Sequence, residues 1–111
     1  MYHELVRRIV KREKRRGTID VSLVDDRTIH RLNKQFRHKD KPTDVLAFSY
    51  GAQGVLGDVI VSRPTTERNA KRFGVSYRAE LKRLVIHGAL HVLGYDHGRK
   101  MSRAEKIYTE L

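Results

Sequence analysis

The sequence has no cysteine and no tryptophan, only two prolines, and 7% aromatic residues in 111 positions. Without cysteine there can be no disulfide, no thiolate metal site and no cysteine nucleophile, and the chain suits a reducing compartment. No apolar run approaches the ~18 residues that span a bilayer. The opening Met1-Tyr2-His3-Glu4 lacks the apolar core of a secretory signal. The expectation is therefore a cytoplasmic protein with no membrane partner. Acidic residues are also scarce: 13 against 24 lysines and arginines, for a net charge of +11. So large a positive excess on a small chain points to a polyanionic partner, above all nucleic acid. A single domain spanning residues 1–111 is the reading the length supports, with about two-thirds of its unfolded surface buried.

Leu5, Val6, Ile9 and Val10 fall at helical spacing, so residues 3–16 read as a first helix that stops at Gly17. Ile19, Val21 and Leu23 alternate with polar residues, the pattern of a half-buried strand. Asp25 or Asp26 can cap a second helix with Ile29, Leu32 and Phe36 on its apolar face. Arg37 to Thr43 reads as a loop, and Asp44–Tyr50 and Val55–Ser62 as a hairpin turning at Gly51-Ala52-Gln53-Gly54. Thr65–Phe73 is a short helix, and Ser76 caps a long one through Leu93 that is apolar almost all round, hence buried. Ser102 and Glu105 suggest a capping box for a last helix. The order α-β-α-β-β-α-α-α is that of an α+β domain with helices packed on one small sheet.

The chemistry is concentrated between His87 and His97. His87 and His91 are four apart, one turn of helix on one face. Gly94 can end the helix in a left-handed conformation and return His97 to the same point. Three imidazoles leave one tetrahedral position open, as a catalytic metal site does. The spacing also matches the zinc run of metzincin proteases, whose first histidine is followed by a glutamate base. Here that position is Gly88, which turns the reading from peptide bonds toward phosphodiesters. His3, His30 and His38 have no partner spacing and read as surface residues.

Together with Leu32-Asn33, Phe36-Arg37, Asp40-Lys41-Pro42-Thr43-Asp44-Val45-Leu46-Ala47-Phe48 and Leu56-Gly57-Asp58-Val59-Ile60, the histidine run resembles the YbeY family of bacterial, single-strand-specific, metal-dependent endoribonucleases. The resemblance runs from about Ile19 to near the C-terminus. It implies a zincin-like α+β fold with a mixed sheet and a central buried metal-binding helix. It also implies one metal ion, usually assigned as zinc, on His87, His91 and His97. The activity it implies is RNA cleavage in maturation of the 3′ end of small-subunit (16S) ribosomal RNA and in ribosome quality control. The implied partners are single-stranded RNA, ribosomal RNA and the small ribosomal subunit. The family has a functionally essential arginine that falls on Arg37, suited to stabilising phosphate charge in a transition state. The family's usual first strand is missing before the first helix, the segment after His97 is short, and Ser49 stands where the family favours proline.

Asp44, Asp58 and Asp96 are candidate outer partners for the histidine N–H groups. Arg7, Arg8, Lys11, Arg12, Arg15 and Arg16 make the first helix a candidate RNA surface. Two other function classes compete with the nuclease. One is a ribosome-assembly or RNA-binding factor with a mainly structural metal and weak nuclease activity. The other, a metalloprotease-like hydrolase, is disfavoured by Gly88.

Overall fold

A computed structural model describes residues 2–52 and 54–111, without the side chain of Ala52. The elements follow the expected order: α1 (His3–Arg12), β1 (Thr18–Val24), α2 (Asp26–Arg37), β2 (Val45–Ala52), β3 (Val55–Ser62), α3 (Arg63–Phe73), α4 (Tyr77–Val92) and α5 (Arg99–Thr109). The sheet order is β1-β3-β2, with β1 parallel and β2 antiparallel to β3. The sheet is thus mixed, as expected. The Cα radius of gyration is 13.5 Å, matching the ~13 Å typical of this length. Among the described residues no helix is long and apolar enough to cross a membrane.

Odd-numbered strand residues face α4. Ile19, Val59 and Val61 meet Leu81, Leu84, Val85 and Ala89 there, together with Val6 and Val10 of α1. Gly57 and Gly88 set the spacing of this layer. A Cβ on Gly57 would stand 2.0 Å from the Phe48 carbonyl oxygen, and one on Gly88 would stand 2.6 Å from Val59 Cγ1. The other side of α4 buries Ile86 and Leu90 against Ile9 of α1 and Met101, Ala104 and Tyr108 of α5. α4 is therefore covered on two sides, which is why its apolar residues run almost all round it.

The caps on Asp25 and Ser76 are present, each side chain accepting the backbone N–H of the third residue of its helix. Several boundaries differ from expectation, β2 among them, which runs from Val45 through Ala52 and not from Asp44 to Tyr50. α1 ends at Arg12 and not near Arg16, because Lys14 adopts a left-handed φ of 58° and the Arg15 N–H bonds back to the Val10 carbonyl. α3 begins at Arg63, capped by Ser62. α5 begins at Arg99, so no capping box forms: the Ser102 N–H already donates to the Gly98 carbonyl inside the helix. Of the expected hairpin turn, Gln53 lies outside the described residues.

Candidate metal centre

His87 and His91 project from one face of α4, and their Nε2 atoms lie 3.1 Å apart. After Leu93 the chain turns through Gly94 at φ 99°, where the Tyr95 N–H donates to the Leu90 carbonyl. This turn returns His97 to the pair, with its ring centroid 4.8 Å from His91 and 5.5 Å from His87. One nitrogen from each ring falls within 4.8 Å of the others, so the three residues can hold a metal ion. Zn–N bonds of about 2.0–2.1 Å in a tetrahedron place ligand nitrogens about 3.3–3.4 Å apart, close to the observed approach of the first pair.

The protonation pattern suits ligation. His91 Nδ1 lies 2.9 Å from the Tyr95 carbonyl, which can only accept, so Nδ1 is the donor and Nε2 is the nitrogen turned toward the other rings. Among the described residues, His87 Nδ1 is buried without a hydrogen-bond partner. The nearest charged group is Glu105 on α5, with its carboxylate oxygen 3.6 Å away, an ion-pair distance and not a hydrogen bond. Burial pushes the His87 pKa down, the neighbouring His91 adds to this, and Glu105 opposes it. A neutral imidazole is the form that binds metal.

The three histidines line a groove of about 750 Å³, and Arg37, Lys39 and Lys41 also line it. Arg37 is the last residue of α2 and not part of the following loop. Its guanidinium donates to the Ala47 carbonyl at 2.5 Å and lies over the Phe48 ring, 5.1 Å from the centroid. Ser62 N–H bonds the Asp44 carbonyl, so even-numbered β2 residues pair with β3 and the Ala47 carbonyl faces the open edge of the sheet. The Lys39–Lys41 loop is pinned: Asn33 Nδ2 donates to the Lys41 carbonyl at 2.8 Å, and His30 Nε2 meets Asp40 at 2.7 Å. His30 lies at the surface, as expected, and is tied to this loop by Asp40.

The aspartates behave differently from expectation. Asp58 is an even-numbered residue of β3, so it points away from α4, where it accepts from the Tyr50 hydroxyl at 2.5 Å. It is no partner of the histidines. Asp44 lines the groove but accepts from Asn69, which also donates to the buried Glu80. Asp96 is exposed and makes no side-chain hydrogen bond among the described residues. The groups that meet the histidine nitrogens are the Tyr95 carbonyl and Glu105. No local spacing in the sequence marks either for that role, and Glu105 reads from the sequence only as the last residue of a capping box.

None of the six α1-region cations lines the groove. Arg7 and Arg8 lie 3.5 and 3.7 Å from Glu4, and Arg15 donates to the Leu93 carbonyl at 3.2 Å. Arg12 lines a separate hollow with Lys100 and Arg103. Between these regions Glu13 accepts from both the Tyr95 and Tyr108 hydroxyls, tying α1 to the histidine turn and to α5.

A family model described as Endoribonuclease YbeY matches residues 1–110. The chain is 47% identical over 97 residues to the Endoribonuclease YbeY of Aquifex aeolicus, covering 84% of this chain and 64% of that protein. It is 44% identical to that of Persephonella marina, covering 82% of this chain and 63% of the relative. The chain thus spans a little under two-thirds of the length of these two relatives. A solution structure from Thermotoga maritima is similar, with TM-score 0.72, 39% identity, and coverage of 96% of this chain and 75% of that one. Matched over nearly its whole length, the chain belongs to the YbeY family.

Proposed function

We propose that this protein is a metal-dependent endoribonuclease that cuts single-stranded RNA in the cytoplasm, with the 3′ end of small-subunit ribosomal RNA as its substrate. The observation that carries the reading is one groove lined both by three convergent imidazoles and by Arg37, Lys39 and Lys41. Its relatives in Aquifex aeolicus and Persephonella marina bear the name Endoribonuclease YbeY.

Zinc on His87, His91 and His97 would supply Lewis-acid chemistry, polarising a phosphoryl oxygen or lowering the pKa of a water toward ~7. The residues of the chain do the rest. The Tyr95 carbonyl holds the His91 ring in the ligating tautomer. Glu105 stands where it can take the His87 Nδ1 proton in a hydrogen bond once that ring is drawn into place. Arg37 spends one N–H on Ala47 and one face on Phe48. Its remaining donors are free to hold a phosphate as charge develops. Gly88 has no side chain, and a Cβ there would run into Val59, so the protease-type glutamate has no room at that position.

The test is cleavage of end-labelled RNA carrying the 3′ region of small-subunit ribosomal RNA. Cleavage should need the metal, stop on chelation, spare a duplex of the same sequence, and vanish in His91→Ala. Casein should remain intact. A His91→Ala protein that cuts as fast as the wild type would refute the assignment.

A further inference from the structure

Phe36 and Phe48 are not part of the metal-site chemistry and do not line the groove, but Arg37, which does line it, links them to it. Phe36 is 52% exposed at the end of α2, although its spacing in the sequence placed it on the apolar face. It meets Phe48 edge-on, with ring centroids 5.4 Å apart at 70°. Phe48 is even-numbered on β2, so its ring lies on the sheet face turned away from α4 and the histidines. Arg37 sits at the open edge between the two sides, bonded to Ala47 and stacked on Phe48. A strand whose phosphate lay on Arg37 would therefore have the groove on one side and the aromatic pair on the other.

We propose that Phe36, propped by Phe48, is a stacking platform for an unpaired nucleobase adjoining the phosphate held by Arg37. The proposal rests on the RNA reading above and deepens it by giving a physical reason for a single-strand preference. Within a duplex, both faces of a base are covered by its neighbours, and only an unstacked base offers a face to a ring. Phe36 has an open face, and Phe48 cannot serve in its place because the Arg37 guanidinium covers it. The net charge of +11 supplies the attraction for the backbone, and the ring supplies an interaction that tolerates any base. Phe73 is a built-in control. It is 54% exposed, and Arg72 lies 5.9 Å from its ring, but it ends α3 and its arginine, unlike Arg37, does not line the groove.

The test is fluorescence anisotropy with the metal-loaded full chain. Two strands of equal length serve as probes: a 2′-O-methyl oligouridine nonamer and an abasic strand with the same phosphates. The wild type should bind the nonamer more tightly. Phe36→Leu should weaken nonamer binding by roughly 5- to 150-fold, the range for loss of one base–aromatic stack, and leave abasic binding unchanged. Phe36→Tyr should retain wild-type affinity, and Phe73→Leu should change nothing. The proposal is overturned if Phe36→Leu binds the nonamer as the wild type does, if it weakens both strands alike, or if the wild type holds neither. Cleavage of unmodified RNA is read separately. Binding that depends on Phe36 without any cleavage keeps the stack and removes the nuclease reading.

Discussion

Replacing Gly88 by alanine should destabilise this protein, against the usual benefit of removing glycine from a helix interior. That benefit is about 0.8–1 kcal/mol. Here the new methyl would lie 2.6 Å from Val59 Cγ1, 3.1 Å from Val59 Cγ2 and 3.3 Å from Val45 Cγ2. Val59 is fully buried on the central strand, and a β-branched side chain has little rotamer freedom with which to retreat. Relief must come from α4 moving away from β3, and overpacking of this kind costs about 1–3 kcal/mol. The balance is a loss of about 1 kcal/mol, or roughly 4 °C in Tm for a domain of this size. Gly88 also lies between two of the imidazoles, so moving α4 should disturb the 3.1 Å approach of His87 and His91 and weaken metal binding. Urea unfolding and a competitive zinc titration would read both effects. In a double-mutant cycle, Val59→Ala should cost less in the Gly88→Ala background than in the wild type, because the added methyl then has space. A Gly88→Ala protein stabilised by the full ~1 kcal/mol, with unchanged zinc affinity, would refute the packing argument.

Four further outcomes are expected. Glu105→Ala should weaken zinc binding by about 10- to 100-fold, with partial rescue by Glu105→Gln, measured against a chromophoric chelator. Arg37→Ala should slow single-turnover cleavage by about 10²–10³-fold, with metal content unchanged and only partial rescue by lysine. Neutralising Lys39 or Lys41 should reduce the salt dependence of RNA binding by about 0.7 each in logarithmic slope; a larger effect from Arg7, Arg8 and Lys11 would move the RNA onto α1. Burial pushes the Asp26 carboxyl up, but hydrogen bonds from Ser62, Arg68 and Thr65 outweigh it and hold the pKa down to about 2, below the ordinary 3.8. Its contribution to stability is therefore present above pH 3.8 and lost as pH falls toward 2, so Asp26→Asn should flatten the acid limb of a stability–pH curve.

What the sequence made legible were the features written in local patterns. The buried α4, the histidine spacing across its end, the hairpin and the caps at Asp25 and Ser76 all follow from periodicity and short-range side-chain chemistry. What it hid depends on contacts between distant segments. α1 stops early where Glu13 is gripped by Tyr95 and Tyr108, 82 and 95 residues further along the chain. Alternation in β3 put Asp58 opposite Val59, but only the placement of α4 decides which of the two faces the histidines. Glu105 approaches His87 because Met101, Ala104 and Tyr108 dock α5 against α4, and no spacing motif records that meeting. Phe36 fits the apolar repeat of α2, yet at the end of that helix it meets Phe48 edge-on and stays half exposed.

Arg37 also bears on how the protein keeps to itself. β2 ends the sheet on one side, and its outward carbonyls and N–H groups are a template for a strand from another molecule. The Arg37 guanidinium occupies the Ala47 acceptor midway along that template and sets a positive charge on it, much as edge lysines do in other sheets. Substituting Arg37 thus uncovers a strand edge at the same time as it removes the group proposed to hold phosphate. Arg37→Ala should show more self-association at high protein concentration than Arg37→Lys, in light scattering as well as in kinetics, and a fall in its activity with concentration would report edge-to-edge pairing and not chemistry.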